Sequence, residues 1–249
     1  MQFNLKEALS LRSSVFSDVI KDFGFPDIVD GVKDIAPIVR HTYKTNVANG
    51  GAIIAHHTAR FTMDGGSCSV DGEGSIVVAC DNAQIHGAKI TVKGKRNLVV
   101  IGPFARPRRV DIRLEGDDCV FLLGAESTWE SGMALVTHSR VMAVGKDCMI
   151  SSGVVVRTAD GHGIYNKETK EHLNNPGDVV VGDHVWIGSG VRLSKGVKVH
   201  HGSVIGQEAV VTKDIEPNTI NVGIPARTVN TGIVWSRTGS YEDIPETYR

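Results

Sequence analysis

An aliphatic residue recurs at every sixth position through the C-terminal third of the chain. The recurring residues are Val181, Ile187, Leu193, Val199, Ile205 and Val211. A small or β-branched residue lies four positions after each of them: Val185, Val191, Val197, Ser203, Ala209 and Ile215. A period of six fits neither an α-helix nor a series of hairpins, but it fits a short strand plus a turn repeated along one axis. The pattern therefore predicts a parallel β-helix whose coils bury their aliphatic residues against one another.

The same period continues upstream with two interruptions. Leu123, Trp129, Leu135 and Val141 form one run, and Val144, Ile150 and Val156 form the next after a shift of three residues. The polar stretch 161–179 does not carry the period. Long segments of this kind between regular elements are usually functional loops or disordered. We therefore predict that residues 161–179 form a loop extruded from one corner of the β-helix.

The N-terminal part has a different pattern. Its apolar residues recur at helical spacing: Leu5, Leu9, Val15, Phe16, Val19, Ile20 and Phe23. Asn4 is a suitable cap, and Gly24 with Pro26 a suitable end, so we predict a helix there. Residues 41–88 predict short, irregular strands. We divide the chain into a helix plus short-strand region (1–88), a β-helix (89–235) and a C-terminal tail (236–249), and expect an all-β fold apart from the helix.

Composition narrows the class of protein. The 249 residues include 27 basic and 28 acidic ones, a net charge of −1, which argues against nucleic acid as the main partner. No apolar run is long enough to span a bilayer, and the N-terminus lacks the apolar core of a secretory signal, so we expect a cytoplasmic protein. The scattered cysteines 68, 80, 119 and 148 indicate reduced, mostly buried thiols. Many glycines (28) and few aromatic residues (3 Trp, 4 Tyr and 7 Phe) suggest a narrow interior with many turns.

Three motifs carry a family resemblance. "DHVWIG", "VVTKDI" and "GIPAR" follow one another at the spacing typical of the left-handed β-helix hexapeptide-repeat acyltransferases. "SSGVVVRTADGHGIYN" resembles the branch that O-acetylates bacterial capsular and surface polysaccharides. The resemblance implies a left-handed coil, a homotrimer and acetyl-CoA as co-substrate. The implied reaction moves an acetyl group to a hydroxyl of a carbohydrate acceptor, with no metal.

His162 is the implied general base, on a loop that reaches into a cleft between two subunits. A sugar hydroxyl is a poor nucleophile until a base takes its proton, and an imidazole suits that role near neutral pH. The activated oxygen then attacks the thioester, and an N–H holds the oxyanion. Asp160 either orients the imidazole, binds a sugar hydroxyl or serves as an Asx-turn residue. His172 is the nearest rival base.

Further residues are nominated along the β-helix. The resemblance places the indole of Trp186 at the acyl-transfer centre, although it could equally cover a coil edge. Gly188 and Ser189 would let the pantetheine arm of CoA approach the backbone, or simply form the repeat turn. Gln207 stands where the family often has a small residue, so its backbone is the expected contact.

The phosphates of CoA require basic groups. Thr212, Lys213 and Arg227 match the family's positions for this contact, with Lys213 and Arg227 expected on consecutive coils. The alternative to a phosphate contact is that they are ordinary surface residues.

Three other functions stay open. A zinc enzyme on the same fold would need three converging histidines, for which His162, His184 and His200 are the candidates. An N-acetyltransferase would act on a nucleotide-linked amino sugar, although residues 1–88 contain no glycine-rich phosphate motif. The third function is a non-enzymatic trimeric scaffold.

Overall fold

The computed structural model describes residues 35–37, 44–62 and 65–249. The predicted N-terminal helix lies outside these ranges. The chain winds through three parallel β-sheets, and each coil contributes one strand to sheet I, one to sheet II and one to sheet III. The result is the expected left-handed β-helix, a three-sided prism. Among the described residues no helix is long and apolar enough to cross a membrane.

The strands are short and stack in sequence order. Sheet I contains β1 (Ile35–Pro37), β3 (Ala52–His56), β6 (Ile76–Ala79), β9 (Leu98–Ile101), β12 (Val120–Leu123), β15 (Val141–Val144), β18 (Val179–Val181) and β21 (Lys198–Val199). Sheet III contains β2 (Lys44–Ala48), β5 (Ser67–Asp71), β8 (Lys89–Lys93), β11 (Val110–Glu115), β14 (Gly132–Thr137), β17 (Val154–Arg157), β20 (Arg192–Leu193) and β23 (Val210–Val211). Strand β1 alone is antiparallel in sheet I.

Sheet II forms the third side. It begins with the pair β4 (Arg60–Thr62) and β7 (Gln84–His86), which a bridge between His86 and Arg108 joins to the rest. It continues through β10 (Arg106–Pro107), β13 (Thr128–Trp129), β16 (Met149–Ile150), β19 (Trp186–Ile187), β22 (Val204–Ile205), β24 (Thr219–Val222) and the antiparallel β25 (Arg227–Thr231). A single 3-10 turn, Glu246–Tyr248, lies in the tail.

Coil length changes along the prism. In the C-terminal coils, Val181 pairs with Val199, Ile187 with Ile205 and Leu193 with Val211, an offset of 18 residues. Eighteen residues are three hexapeptides, one for each sheet, which explains the six-residue period. In the N-terminal coils Ile90 pairs with Ile112, an offset of 22, and Phe121 with Met142, an offset of 21. Coils that are three to six residues longer shift the phase, so the period fades upstream.

The interior is one continuous apolar core. The recurring aliphatic residues from Val181 to Val211 are all buried. The longer coils enclose bulkier side chains: Phe121 and Trp129 are fully buried, with ring centroids 6.5 Å apart. All four cysteines are free and buried, as predicted, and burial raises the pKa of Cys68 and of Cys148 to about 12.

The coil that contains the predicted loop is an ordinary coil with an insertion. Met142 pairs with Val179 and Val155 with Arg192, an offset of 37 residues, which exceeds an 18-residue coil by 19. The extra residues leave the prism between β17 and β18, on the edge where sheet III meets sheet I. Strand β15 pairs directly with β18, so the insertion does not interrupt the sheets.

Sheets I and III run through the expected division at residue 89. Strand β5 pairs with β8 and β6 with β9, and the sheet III pairing extends back to Lys44.

Candidate active site

The loop that carries His162 is tied to the next coil. The carboxylate of Asp160 forms an ion pair with Lys195 and accepts a hydrogen bond from Asn174 Nδ2 at 2.9 Å. The same Nδ2 also donates to the carbonyl of His162 at 2.8 Å, and Asn174 Oδ1 accepts from the amide of Ile164 at 2.6 Å. The bonds from Lys195 and then Asn174 hold the pKa of Asp160 below its ordinary value. Asp160 therefore anchors the turn, and the His162 side chain stays exposed.

The rest of the loop has its own small structure. Tyr165 and His172 form an antiparallel bridge, and their rings stack with centroids 5.0 Å apart. The side-chain oxygen of Asn166 accepts from the amides of Glu168 and Thr169, both at 2.9 Å, and closes the tip. His172, the rival base, is thus placed against an aromatic ring.

Trp186 points outward from sheet II. Its side chain is 38% exposed, and its ring centroid lies 5.9 Å from that of Trp235 in the tail. Within the described ranges its indole N–H has no hydrogen-bond acceptor, which leaves it available to a ligand.

Gly188 lies against the backbone of the following coil. A Cβ added there would come within 2.7 Å of the amide nitrogen of Gln207 and 2.9 Å of the carbonyl oxygen of Ile205. Close stacking of the coils therefore explains this glycine without a ligand. Ser189 is exposed, and its hydroxyl donates to the carbonyl of Ser152 at 3.0 Å; Gln207 is exposed beside this turn.

The three residues proposed for the CoA phosphates are all exposed. Thr212 and Lys213 follow β23, on the edge where sheet III meets sheet I. Arg227 opens β25 and pairs with Val222 at the end of sheet II. Its Nη1 donates to the carbonyl of Ala226 at 2.8 Å.

The predicted site residues fall into two groups on different edges of the prism. Asp160, His162, Thr212 and Lys213 follow strands of sheet III and lie on the edge between sheets III and I. Trp186, Gly188, Ser189, Gln207 and Arg227 lie on sheet II or on the edge between sheets II and III. One chain therefore does not bring His162 and Trp186 together, because they leave different sides of the same prism.

The third edge, between sheets I and II, holds a cluster that sequence reasoning missed. The imidazole of His184 is 1% exposed and lies between two aromatic rings of the tail, with centroids 4.2 Å from Trp235 and 4.3 Å from Tyr248. Its Nδ1 lies 2.7 Å from Asp147 Oδ2, and its Nε2 lies 3.0 Å from the carbonyl oxygen of Trp235.

We call this cluster the tail clasp; its members are Asp147, His184, Trp235, Arg237 and Tyr248. Asp147 links the buried imidazole to the more exposed guanidinium of Arg237. Arg237 Nε donates to Asp147 Oδ1 at 2.7 Å. Burial alone would raise the pKa of Asp147, but the hydrogen bonds from His184 and Arg237 outweigh it and hold this pKa below its ordinary value. Trp235 also donates its indole N–H to the carbonyl of His184 at 2.8 Å, so the tail is fixed beside Trp186. Trp235 and Tyr248 are aromatic residues in an otherwise polar C-terminal segment, which is the signal of this contact that the sequence offers.

The histidines proposed for zinc do not converge. His184 uses both ring nitrogens inside the tail clasp, while His162 lies on another edge. Over the ranges that the structure covers, no group of three or more His, Cys, Asp or Glu side chains is placed to hold a metal ion.

Comparison with known proteins agrees with this architecture. The family described as bacterial transferase hexapeptide (six repeats) matches residues 178–213. A polysialic acid O-acetyltransferase of Escherichia coli O1:K1 / APEC is 30% identical over 128 residues, which cover 51% of this chain and 42% of the relative. The Neisseria meningitidis enzyme of the same name is 32% identical over 132 residues, which cover 45% of this chain and 61% of the relative. The chain thus spans about half the length of these curated relatives.

Solved structures extend the match along the prism. The polysialic acid O-acetyltransferase OatWY superposes with a TM-score of 0.74 at 27% identity and covers 82% of this chain and 97% of its own. The polysialic acid-specific acetyltransferase NeuO has the same fold, with a TM-score of 0.70 at 23% identity over 82% of this chain and 93% of its own. The repeat match, the sequence relatives and the shared fold together make the chain similar to the hexapeptide-repeat acyltransferases.

Proposed function

We propose that this protein is an acetyl-CoA-dependent O-acetyltransferase that acts on a hydroxyl of a surface polysaccharide or its precursor. Similarity to two polysialic acid O-acetyltransferases supports acetyl transfer to a carbohydrate hydroxyl. The galactoside O-acetyltransferase of Escherichia coli K12 adds support at 33% identity over 94 residues, which cover 38% of this chain and 46% of the relative. In the proposed reaction, His162 takes the proton of the acceptor hydroxyl and later returns one to the CoA thiolate.

The observation that carries the proposal is the division of the candidate residues between two edges. A closed threefold assembly sets one surface of each subunit against a different surface of the next. If the edge between sheets III and I faces the neighbour's edge between sheets II and III, His162 of one subunit meets Trp186 of the next. Three equivalent sites result, each with both groups of residues, and the extruded loop supplies the reach.

CoA would lie in the cleft between the two edges. Trp186 offers a free indole N–H. Gly188 and Ser189 have small side chains, so the pantetheine can approach the backbone there. Lys213 and Arg227 supply positive charge for the phosphates. In the turn that follows β19, the amides of Gly188 and Gly190 donate to carbonyls of neighbouring coils at 2.8 and 2.9 Å. The amide of Ser189 has no such partner in the described part of the chain, which makes it the proposed oxyanion donor.

Thiol release from acetyl-CoA tests the reaction. The acceptors are polysialic acid oligomers, neutral oligosaccharides and nucleotide-linked amino sugars. We expect acceptor-dependent release, lowered about 10²–10⁴-fold by His162→Ala, the usual contribution of a general base. The matched control, His201→Ala, removes an exposed histidine away from the loop and should keep the wild-type rate. Activity that survives His162→Ala and is lost in His172→Ala would move the base to His172, and absence of both release and CoA binding would favour a scaffold.

Mixed trimers test the shared site. His162→Ala and Trp186→Ala subunits, each inactive or weak alone, are unfolded together and refolded as a mixture. Random assortment in a closed ring restores about a quarter of the sites, because one interface type keeps both residues. Recovery of activity on mixing would support the assignment across subunits. Mixed trimers without recovery would mean that each site is built within one chain.

A further inference from the structure

A second polar groove lies on sheet II, toward the N-terminal end of the prism. It has a volume of about 310 Å³ and is lined by Arg60, Thr62, Gln84, His86, Arg106 and Arg108. We call it the arginine groove. None of its residues belongs to the candidate transfer site, and its volume is at the lower end of the range for small-molecule sites, about 300–1,000 Å³.

The coil repeat builds the groove. Arg60 pairs in register with Gln84, and the amide of Gln84 donates to the carbonyl of Ala105, next to Arg106, at 2.9 Å. Thr62 pairs with His86, which bridges to Arg108. Neighbouring strands are about 4.8 Å apart, so the lining side chains stand in two short columns, with Gln84 between Arg60 and Arg106 in one and Thr62, His86 and Arg108 in the other.

The positive charge of the groove is only partly balanced. Arg108 lies 3.7 Å from Glu130, and both side chains are nearly half exposed, so solvent weakens this pair. Arg60 and Arg106 have no acidic partner in the ranges that the structure describes. His86 Nδ1 is 2.6 Å from the hydroxyl of Thr62, which fixes the ring at the wall of the groove. Three arginine side chains on this short face are like charges that no described carboxylate except Glu130 offsets, so a bound anion would relieve their repulsion.

Guanidinium groups in such a cluster suit a bound anion. Their planar donor pairs match the two oxygens of a carboxylate or the oxygens of a phosphate. The overall charge of −1 gives no general attraction for anions, so the attraction is local to this face.

The groove shares its face with the transfer site. Strands β10, β13, β16 and β19 are neighbours in sheet II, and Arg106 and Trp186 occupy equivalent register positions on the first and last of them. Three strand steps of about 4.8 Å place them about 14 Å apart along the prism. That distance suits an acceptor of several sugar units that follows the face.

We propose that the arginine groove binds a carboxylate of an anionic polysaccharide acceptor, several sugar units from the hydroxyl that is acetylated. The inference rests on the proposed O-acetyltransferase function, and it adds the class of acceptor: a polymer that carries regularly spaced carboxylates. The groove selects charged chains over neutral ones and holds the acceptor while the reacting sugar reaches Trp186.

The test compares two double variants of equal charge change. Arg60→Gln with Arg106→Gln removes two positive charges from the groove. Lys89→Gln with Lys93→Gln removes two from exposed positions of β8, on sheet III. Binding of polysialic acid oligomers is titrated calorimetrically, with neutral dextran oligomers and inorganic phosphate as further probes. We expect the groove variant to raise the Kd for the oligomer about tenfold or more, equivalent to about 1.4 kcal/mol, and the sheet III variant to match wild type.

The outcomes separate this inference from the proposed function. If acetyl transfer occurs and the groove variant has an unchanged Kd and KM, acceptor binding by the arginine groove is contradicted, and the proposed O-acetyltransferase function stands. If the groove variant loses binding but wild type transfers no acetyl group, the arginine groove is supported as a binding site, and the proposed O-acetyltransferase function is contradicted. Dextran that binds as well as polysialic acid, or phosphate that occupies the groove without displacing the oligomer, would also contradict the carboxylate assignment. Equal unfolding temperatures of the variants establish that lost binding is not lost folding.

Discussion

The coils before and after the extruded loop enclose the same apolar core with different coil lengths and different side chains. After the loop, 18 residues close a coil, strands β19, β20, β22 and β23 have two residues each, and Val, Ile, Leu and Ala fill the interior. Before the loop, coils take 21 to 24 residues, strands in sheet III reach six, and Phe121 and Trp129 occupy the core. The short coils present regular edges with exposed polar turns, where we place CoA. The longer coils carry the arginine groove on their sheet II face.

The largest expected effect tests the packing of the longer coils. Trp129→Ala removes a fully buried ring that packs near Phe121, and we expect the free energy of unfolding to fall by about 3–5 kcal/mol. Urea unfolding at a fixed protein concentration measures it. Ile205→Val, in a short coil, should cost only about 0.5–1.5 kcal/mol. Trp129→Phe, which keeps an aromatic filler, should lie between the two, and equal losses in all three would mean that the two kinds of coil pack alike.

The tail clasp tests whether the short coils depend on the tail. Asp147→Asn leaves His184 and Arg237 without a charged acceptor, and we expect a loss of about 1–3 kcal/mol at pH 7. The folded-state pKa of Asp147 is lowered, so its contribution is complete above the unfolded pKa and is lost as the pH falls through the folded one. The difference between wild type and variant should therefore shrink below about pH 3.9, the ordinary value for Asp.

Unfolding curves at pH 7 and in acid measure the clasp. Asp111→Asn is the control, since it breaks a more exposed pair with Arg113 and should cost less. A difference for Asp147→Asn that stays constant into acid would contradict the role of its charge.

The anchor of the loop is expected to matter for rate more than for stability. Lys195→Met releases Asp160 and loosens the turn that presents His162. We expect kcat to fall about tenfold, because small errors in the position of a catalytic group are costly. Lys198→Met, on the next strand, is the matched control. An unchanged kcat for Lys195→Met would mean that Asn174 alone holds the turn.

The smallest effect concerns the cofactor edge. Lys213→Gln should raise the KM for acetyl-CoA about fivefold, because an exposed charge contributes at most about 1 kcal/mol. With acetyl-dephospho-CoA, which lacks the 3′-phosphate, wild type and variant should have the same KM. A difference that persists with the dephospho compound would assign Lys213 to another part of CoA.

The sequence predicted the short coils well and the longer ones poorly, for a physical reason. Where each strand and turn takes six residues, as from Val181 to Val211, periodicity and structure coincide. Where turns and strands add three to six residues to each coil, the sheets continue but the period does not, so the stretch back to Lys44 lacked a clear pattern.

Motifs in the sequence identified the candidate site residues, but they could not predict how these residues are arranged in space. Which edge carries His162 or Trp186 depends on how many residues each preceding coil contains. The tail clasp depends on contacts between His184 and residues 37 or more positions away, and local patterns carry no information about such contacts.

The loop with His162 has a further consequence. It enters and leaves the prism between strands that pair as though it were absent, and the ion pair between Asp160 and Lys195 ties its base to the next coil. The length and chemistry of the loop can therefore vary while the register of every coil stays fixed. A change of acceptor can therefore arise by replacing one segment, without redesign of the scaffold or of the surface that holds the cofactor.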